Sequence, residues 1–165
     1  MYLHKMRWAA VVLLLLCGVG VAGVFRAEDP AIDRQCSKLA TTFFRLPSKT
    51  QLEEFSRSGL EEQYTLLICG NQAIHPPALQ LARALALRGA TAVTFLKDKL
   101  AQAQGDLTVR DIVAVFAEMR RNHTYDVAAD EDLRRLIDRR VAAMKDPDWK
   151  RLVSQTATEI RSTYN

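Results

Sequence analysis

Cys69 and His75 have side chains that could carry out covalent chemistry, because a thiol and an imidazole can act as nucleophile and base. Their separation of six residues is weak evidence for a catalytic pair, because Gly70, Asn71 and a proline break lie in or beside this interval. No third group that would orient the imidazole is evident either. Cys69 also has a competing use in a disulfide. We therefore predict no catalytic residue and no cofactor.

A second group of candidate ligands lies between residues 122 and 133, where imidazole and carboxylate groups could bind a divalent metal ion. The members are His123, Asp126, Asp130 and Asp132. Their spacing follows neither the calcium-loop pattern nor a zinc pattern. A helix start explains Asp130 better, because a carboxylate there is favoured by the helix dipole and can cap the first turn. We predict no metal site.

The chain has three cysteines, and Cys17 falls inside an apolar N-terminal run. Cys36 and Cys69 are then the single pair available to the rest of the chain. In an oxidising compartment we expect them to form a disulfide, which contributes about 3–4 kcal/mol by the chain-entropy model. The alternative is two buried free thiols, because cysteine is itself a common core residue.

The N-terminal 27 residues have the composition of an export signal. Lys5 and Arg7 precede an uncharged run over residues 8–25, which has small residues near its end. Its 18 residues are also just enough for an uncleaved membrane anchor. We therefore predict a signal peptide or N-terminal anchor over residues 1–27. The domain of residues 28–165 is then periplasmic or secreted, or anchored in the inner membrane and exposed outside the cytoplasm.

The formal net charge of +4 does not indicate a nucleic-acid partner. Lys5, Arg7 and Arg26 are the only charged residues before Glu28, and without them 20 basic residues face 19 acidic ones. A nearly neutral domain lacks the electrostatic footprint of a polyanion-binding protein.

Helical periodicity extends through residues 28–165, and no segment shows the sustained alternation of a strand. A chain of 165 residues with 48% hydrophobic residues is long enough for one domain with a core. We predict a single all-α domain. Gly89 and Gly105 are expected to end helices, and Thr91 and Thr108 to cap the helices that follow.

The segment 78–88 is the most apolar of the predicted helices outside the N-terminal run. Gln80, Arg83 and Arg88 are its only polar residues. A helix that is apolar on all sides belongs in the interior of a domain, so we predict that this one is mostly buried.

The helices group into three hairpins, over residues 60–88, 90–121 and 131–161, and a period in the thirties is typical of an α-solenoid. Residues 90–100 followed by 106–119 resemble a HEAT-like repeat, in which an Asp in the turn and an Arg four residues later recur, here Asp106 and Arg110. The third hairpin has Asp146 and Lys150 instead. The resemblance implies stacked αα-hairpins in a short solenoid, a structural role for Asp106 and Arg110 in bridging neighbouring turns, and function as a binding surface.

In a solenoid the second helix of each pair lines the concave side. The outward positions of those helices would carry Glu118 together with Arg83, Arg88, Arg110, Arg121, Arg151 and Arg161. This pattern predicts a mildly basic groove that holds an acidic protein segment or an anionic surface. A mixed, solvated helix face is the alternative interpretation of the adjacent arginine pairs.

Together these patterns predict an exported, non-catalytic protein-binding or assembly module. The expected partner is another protein, with an acidic segment favoured by the groove, and membrane contact is expected only through residues 8–25 if they are not cleaved. Two alternatives stay open. One is a small periplasmic hydrolase with an unidentified site, and the other is a membrane-anchored accessory subunit of a larger complex.

Overall fold

The computed structural model describes residues 30–162, with side chains described from residue 34 onward. The elements are α1 (Pro30–Thr41), a short 3-10 helix (Phe43–Arg45), α2 (Ser48–Arg57), α3 (Leu60–Gln72), α4 (Gln80–Ala86), α5 (Ala90–Gln102), α6 (Asp106–Arg121), α7 (Glu131–Ala142) and α8 (Pro147–Arg161). Residues 30–162 contain no β-strand, which confirms the all-α prediction for this part of the chain. The predicted signal peptide or anchor and Cys17 lie outside the described residues.

The start of α7 and the start of α8 are each fixed by an aspartate cap. Asp130 accepts a hydrogen bond from the Leu133 N–H at 2.9 Å, and Asp146 accepts bonds from the Asp148 and Trp149 N–H groups at 2.9 and 3.0 Å. Each cap satisfies backbone donors that the first helical turn leaves unpaired, and such a cap contributes about 1 kcal/mol.

The predicted threonine caps of α5 and α6 are wrong. Glycines occupy both cap positions, Gly89 before α5 and Gly105 before α6. Thr91 instead lies inside α5, where its hydroxyl donates to the Arg88 carbonyl at 2.7 Å, and Thr108 lies inside α6. Both helices therefore begin before the threonines, and their first N–H groups have no side-chain cap.

Gly89 has a φ of +54°, a conformation that side chains rarely adopt. The loop after α6 explains why no side chain fits there. A Cβ on Gly89 would lie 2.5 Å from the carbonyl oxygen of Thr124. The Thr124 hydroxyl also donates to the Ala86 carbonyl at 2.7 Å, so this loop is held against the end of α4.

Helix α6 lies at the centre of the fold. It packs against α4 on one side and α8 on the other, and it is backed by α3 and α5. Val109, Ile112, Phe116 and Met119 of α6 are buried, as its helical periodicity predicts. The hydrophobic core that they belong to extends from Phe43 to Ile160, so the described helices form one packed unit.

The predicted disulfide between Cys36 and Cys69 is confirmed. Its Cα atoms are 5.1 Å apart, and the bond joins α1 to α3. Both residues are buried, so the bond is part of the core as well as a covalent link.

Within residues 30–162, no helix is both long and apolar enough to span a membrane.

Candidate functional site

The second helices of the three hairpins run in the same direction. Near their starts, Asp106 of α6 accepts a hydrogen bond from the N–H of Asp146, the N-cap residue of α8, at 2.6 Å. Near their ends, Arg121 of α6 pairs with Glu159 of α8 at 3.4 Å. The end of α4 likewise lies beside the end of α6, through the contact of Ala86 with Thr124. Helices α4, α6 and α8 therefore form a parallel layer.

The outward side of α4 is open to solvent, although the sequence predicts a helix that is mostly buried. Leu81, Ala82, Leu85 and Ala86 are buried as predicted. Leu79 and Leu87, at the two ends, are 71% and 64% exposed. The prediction fails at these ends because α4 packs against α2, α3 and α6 and leaves its fourth side uncovered.

Leu79, Arg83 and Leu87 form one stripe, which we call the α4 ridge. The three residues are spaced four apart. Leu79 and Leu87 lie just outside the two ends of α4, and their backbone angles are also helical. Residues four apart lie on the same helix face. Arg83 is exposed, and it forms no ion pair with any described residue. The ridge thus presents a cation between two exposed leucines.

Most of α6 is buried, and five of its accessible positions fall on one stripe. These five are Leu107, Arg110, Ala114, Glu118 and Arg121, and the other accessible positions are Asp106, Thr108 and Arg120. On α8, Leu152 is 46% exposed. The outward face of the layer is therefore a mixture of apolar and charged positions.

Most arginines of the predicted basic groove have partners. Arg88 donates to Gln63 Oε1 and to the carbonyls of Ser56 and Ser58 at 2.8–3.2 Å, which ties the end of α4 to the turn between α2 and α3. The others form ion pairs: Arg121 with Glu118 and Glu159, Arg151 with Asp148, and Arg161 with Asp138 of α7. Carboxylates thus offset the charges of Arg121, Arg151 and Arg161. Arg88 bonds only to neutral acceptors, and Arg83 forms neither an ion pair nor a side-chain hydrogen bond with a described residue.

Asp106 and Arg110, which the sequence predicts to bridge neighbouring turns, both contact the third hairpin. Asp106 Oδ2 accepts from the N–H groups of Lys145 and Asp146, at 2.9 and 2.6 Å. The guanidinium of Arg110 lies 4.6 Å from the ring centre of Trp149 on α8. Both contacts join the turn of one hairpin to the next.

Asp111 is a buried carboxylate that the sequence analysis did not single out. It is 2% exposed, and three neighbouring side chains donate to it: Asn71 at 3.3 Å, Gln72 at 2.9 Å and Arg110 at 2.7 Å. Burial raises the pKa of Asp111, and its hydrogen bonds and ion pair oppose that rise. Its position between the apolar residues Val109 and Ile112 of α6 was the sequence feature that could have indicated a buried carboxylate. The cluster links α3 to α6 across 40 residues of chain.

Asp130 combines its capping role with two further contacts. Tyr125 Oη donates to its carboxylate at 2.7 Å, and Lys97 Nζ lies 3.3 Å away. Burial alone would raise the pKa of Asp130, but the bonds from Leu133, Tyr125 and Lys97 together lower it. The same bond to Asp130 is the main cause that raises the pKa of Tyr125 to about 12. The carboxylate of Asp130 is therefore bonded to Leu133, Tyr125 and Lys97 within the protein.

The structure also places the residues considered for catalysis and for metal binding. Cys69 is bonded to Cys36, so its sulfur is not available as the nucleophile of a pair with His75. In the described part of the chain, no group of three or more His, Cys, Asp or Glu residues is arranged to hold a metal ion.

Comparisons of the chain with protein-family models, with curated proteins and with solved structures found no match. Function is therefore inferred from the contacts and exposure of this chain's own residues.

Proposed function

We propose that this chain is an exported, non-catalytic protein-binding module and that the α4 ridge docks a segment of its partner. The observation that carries the proposal is the exposure of Leu79 and Leu87 on a helix whose opposite side is buried in the core. Burying a leucine stabilises a complex by about 1.5–3 kcal/mol. Exposed apolar residues grouped on one face and bordered by polar ones are typical of interaction sites.

The chemistry of the ridge defines the partner segment. Arg83 lies between the two leucines, and no described carboxylate neutralises it. A matching segment places an acidic residue between two apolar ones. Leu79 and Leu87 are about 12 Å apart along the helix, from a rise of about 1.5 Å per residue. The apolar residues of the partner are then about eight positions apart in a helix or about four in an extended strand.

The proposed architecture is a short HEAT-like stack of helix pairs. The parallel arrangement of α4, α6 and α8, and the contacts of Asp106 and Arg110 with the third hairpin, support it. The proposed location is outside the cytoplasm: periplasmic, secreted, or anchored in the inner membrane by residues 8–25. The Cys36–Cys69 disulfide supports export, because such bonds persist in oxidising compartments.

Site-specific photocrosslinking in the native cells tests this proposal. A photoreactive amino acid replaces Leu79 or Leu87 in separate variants, and Asp132, an exposed residue of α7, serves as the control position. We expect crosslinks from the α4 positions to a single partner and none from position 132. Mass spectrometry of the crosslinked peptide should show an acidic residue between apolar ones.

Matched substitutions then test the energetics of the ridge. Leu79→Ser combined with Leu87→Ser should reduce recovery of the identified partner at least about tenfold, since two buried leucines are lost. Arg83→Glu should also reduce recovery, and Arg83→Lys should retain most of it. Leu152→Ser removes an exposed leucine from α8 and is the control. Equal recovery with the double variant and with Leu152→Ser would contradict the proposal.

A further inference from the structure

One short stretch of the described chain contains basic residues and no acidic ones. Residues 34–52 contain four basic residues and no acidic one, whereas residues 53–165 contain sixteen of each and residues 1–33 contain three of each. The four cations are Arg34, Lys38, Arg45 and Lys49, and we call them the N-terminal basic unit. Five carboxylates flank the unit in sequence: Glu28, Asp29 and Asp33 before Arg34, and Glu53 and Glu54 after Lys49.

All four side chains of the N-terminal basic unit are exposed. None of them forms an ion pair or a side-chain hydrogen bond with another described side chain. Elsewhere in the described chain, Arg121, Arg135 and Arg161 pair with carboxylates, whereas Arg57, Arg83 and Arg139 are exposed and form no ion pair with a described residue. Among the side chains that the structure describes, no carboxylate forms an ion pair with the unit.

The fold holds the unit on the outside of the domain. Arg34 and Lys38 are four residues apart on α1, and Cys36, midway between them, is on the opposite side of the helix and bonded to α3. Buried Phe43 anchors the 3-10 helix that follows. Gln51 Nε2 of α2 donates to the Leu46 carbonyl at 2.8 Å, which fixes the turn between Arg45 and Lys49.

We propose that the N-terminal basic unit binds anionic phospholipid headgroups at the surface of the membrane. The unit begins eight residues after the uncharged run 8–25, whose length and composition suit insertion into a bilayer. Four of these eight residues, 30–33, belong to α1, so the eight span at most about 20 Å, and the unit lies within reach of the headgroups of the same membrane. Basic clusters next to a membrane segment are attracted to anionic lipids, and each cation strengthens binding roughly fivefold.

The aromatic residues of this region favour a lipid surface over a single-stranded nucleic acid. Nucleic-acid grooves of that kind combine cations with aromatic rings that stack on bases. Phe43 is buried and Phe44 is half-buried, and the two rings pack edge to face with their centres 5.1 Å apart. Neither ring is fully exposed as a stacking platform, whereas all four cations are exposed.

Lysine footprinting of the full chain in lipid vesicles tests this proposal. The chain is reconstituted in phosphatidylcholine vesicles with or without about one-third phosphatidylglycerol, and a water-soluble acetylating reagent modifies accessible lysines. Lys145 is exposed and lies outside the unit, so it is the internal reference. We expect modification of Lys38 and Lys49, relative to Lys145, to slow at least about threefold in the anionic vesicles only. High salt should restore the rate, because exposed charges are screened.

A pair of matched variants separates the unit from general charge effects. Arg34→Gln with Arg45→Gln should weaken binding to anionic vesicles about 25-fold. The double variant should therefore lose most of the protection of Lys38 and Lys49. Arg57→Gln with Arg139→Gln changes the net charge equally at exposed positions outside the unit and should leave protection intact. Equal rates in both kinds of vesicle would overturn the proposal. Protection by added cell proteins, without protection by anionic vesicles, would also overturn it and indicate a protein partner.

Discussion

Asp106, at the start of α6, accepts a hydrogen bond from the backbone N–H of Asp146 at 2.6 Å, and Asp146 in turn caps α8. Asp106 thus positions the turn between α7 and α8, and Asp146 caps the helix that follows this turn. This relationship places the start of α8 beside the start of α6, the helix that packs against α4, the helix of the α4 ridge.

Removing the Asp106 carboxylate should loosen the third hairpin. We expect Asp106→Ala to lower the free energy of unfolding by about 1–2 kcal/mol, because the N–H groups of Lys145 and Asp146 lose their acceptor. Urea unfolding measures this change. Asp98→Ala is the control, since Asp98 is exposed on α5 and should change stability by less than about 0.5 kcal/mol. An effect of Asp106→Ala no larger than that of the control would contradict the prediction.

Gly89 should not tolerate a side chain. We expect Gly89→Ala to destabilise the fold by at least about 2 kcal/mol, because its backbone is left-handed and the new Cβ would meet the Thr124 carbonyl. Gly59→Ala is a matched control, since Gly59 has a φ of −70° and open space around its Cβ position. Thermal unfolding of the two variants compares them directly. Similar melting temperatures would show that the loop after α6 moves away without cost.

The disulfide should be a major source of stability. Replacing Cys36 and Cys69 together by alanine should lower the free energy of unfolding by about 3–4 kcal/mol, from the loop entropy of a 33-residue separation. Urea unfolding with and without reductant tests this. Reductant should destabilise the native chain and leave the double variant unchanged. A native chain that is insensitive to reductant after unfolding and refolding would contradict the expectation.

Asp111 should make stability fall as the pH rises. Its pKa in the folded protein is raised above the ordinary value of 3.8 because the carboxyl is buried. The folded state therefore holds this proton more tightly than the unfolded state, and the free energy of unfolding decreases as pH rises through the raised pKa. Asp111→Asn lacks this decrease. We expect the stability of the variant, relative to the native chain, to improve between pH 4 and pH 7.

Asp130 provides the opposite case in the same measurement. Its pKa is lowered in the folded protein, so its contribution to stability is present above the ordinary pKa and is lost as the pH falls through the lowered one. Asp130→Asn should be less stable than the native chain at neutral pH, and the difference should shrink on acidification. Urea unfolding of both variants at several pH values gives the two trends. Parallel pH profiles for the two variants would contradict both assignments.

Local sequence patterns are sufficient for much of the fold. The period of 3.6 residues identifies the helices. Ile112 and Phe116 of α6 and Leu133 and Ile137 of α7 are buried as that period predicts, because it reflects the geometry of the helix itself. The cap of α7 is also a local feature, because Asp130 accepts a hydrogen bond from the N–H of Leu133, three residues later. The disulfide follows from having two cysteines outside the N-terminal run.

Contacts between distant residues account for what these patterns do not predict. Gly89, rather than Thr91, precedes α5, and Thr124, 35 residues later, leaves no room for a side chain at Gly89. Asp111 finds its donors in Asn71 and Gln72 of α3, and the arginines of the predicted groove find carboxylates on other helices. The open side of α4 exists because only three sides are covered by neighbours. Periodicity shows which residues are apolar, but only the packing of the helices shows which of them remain available to a partner.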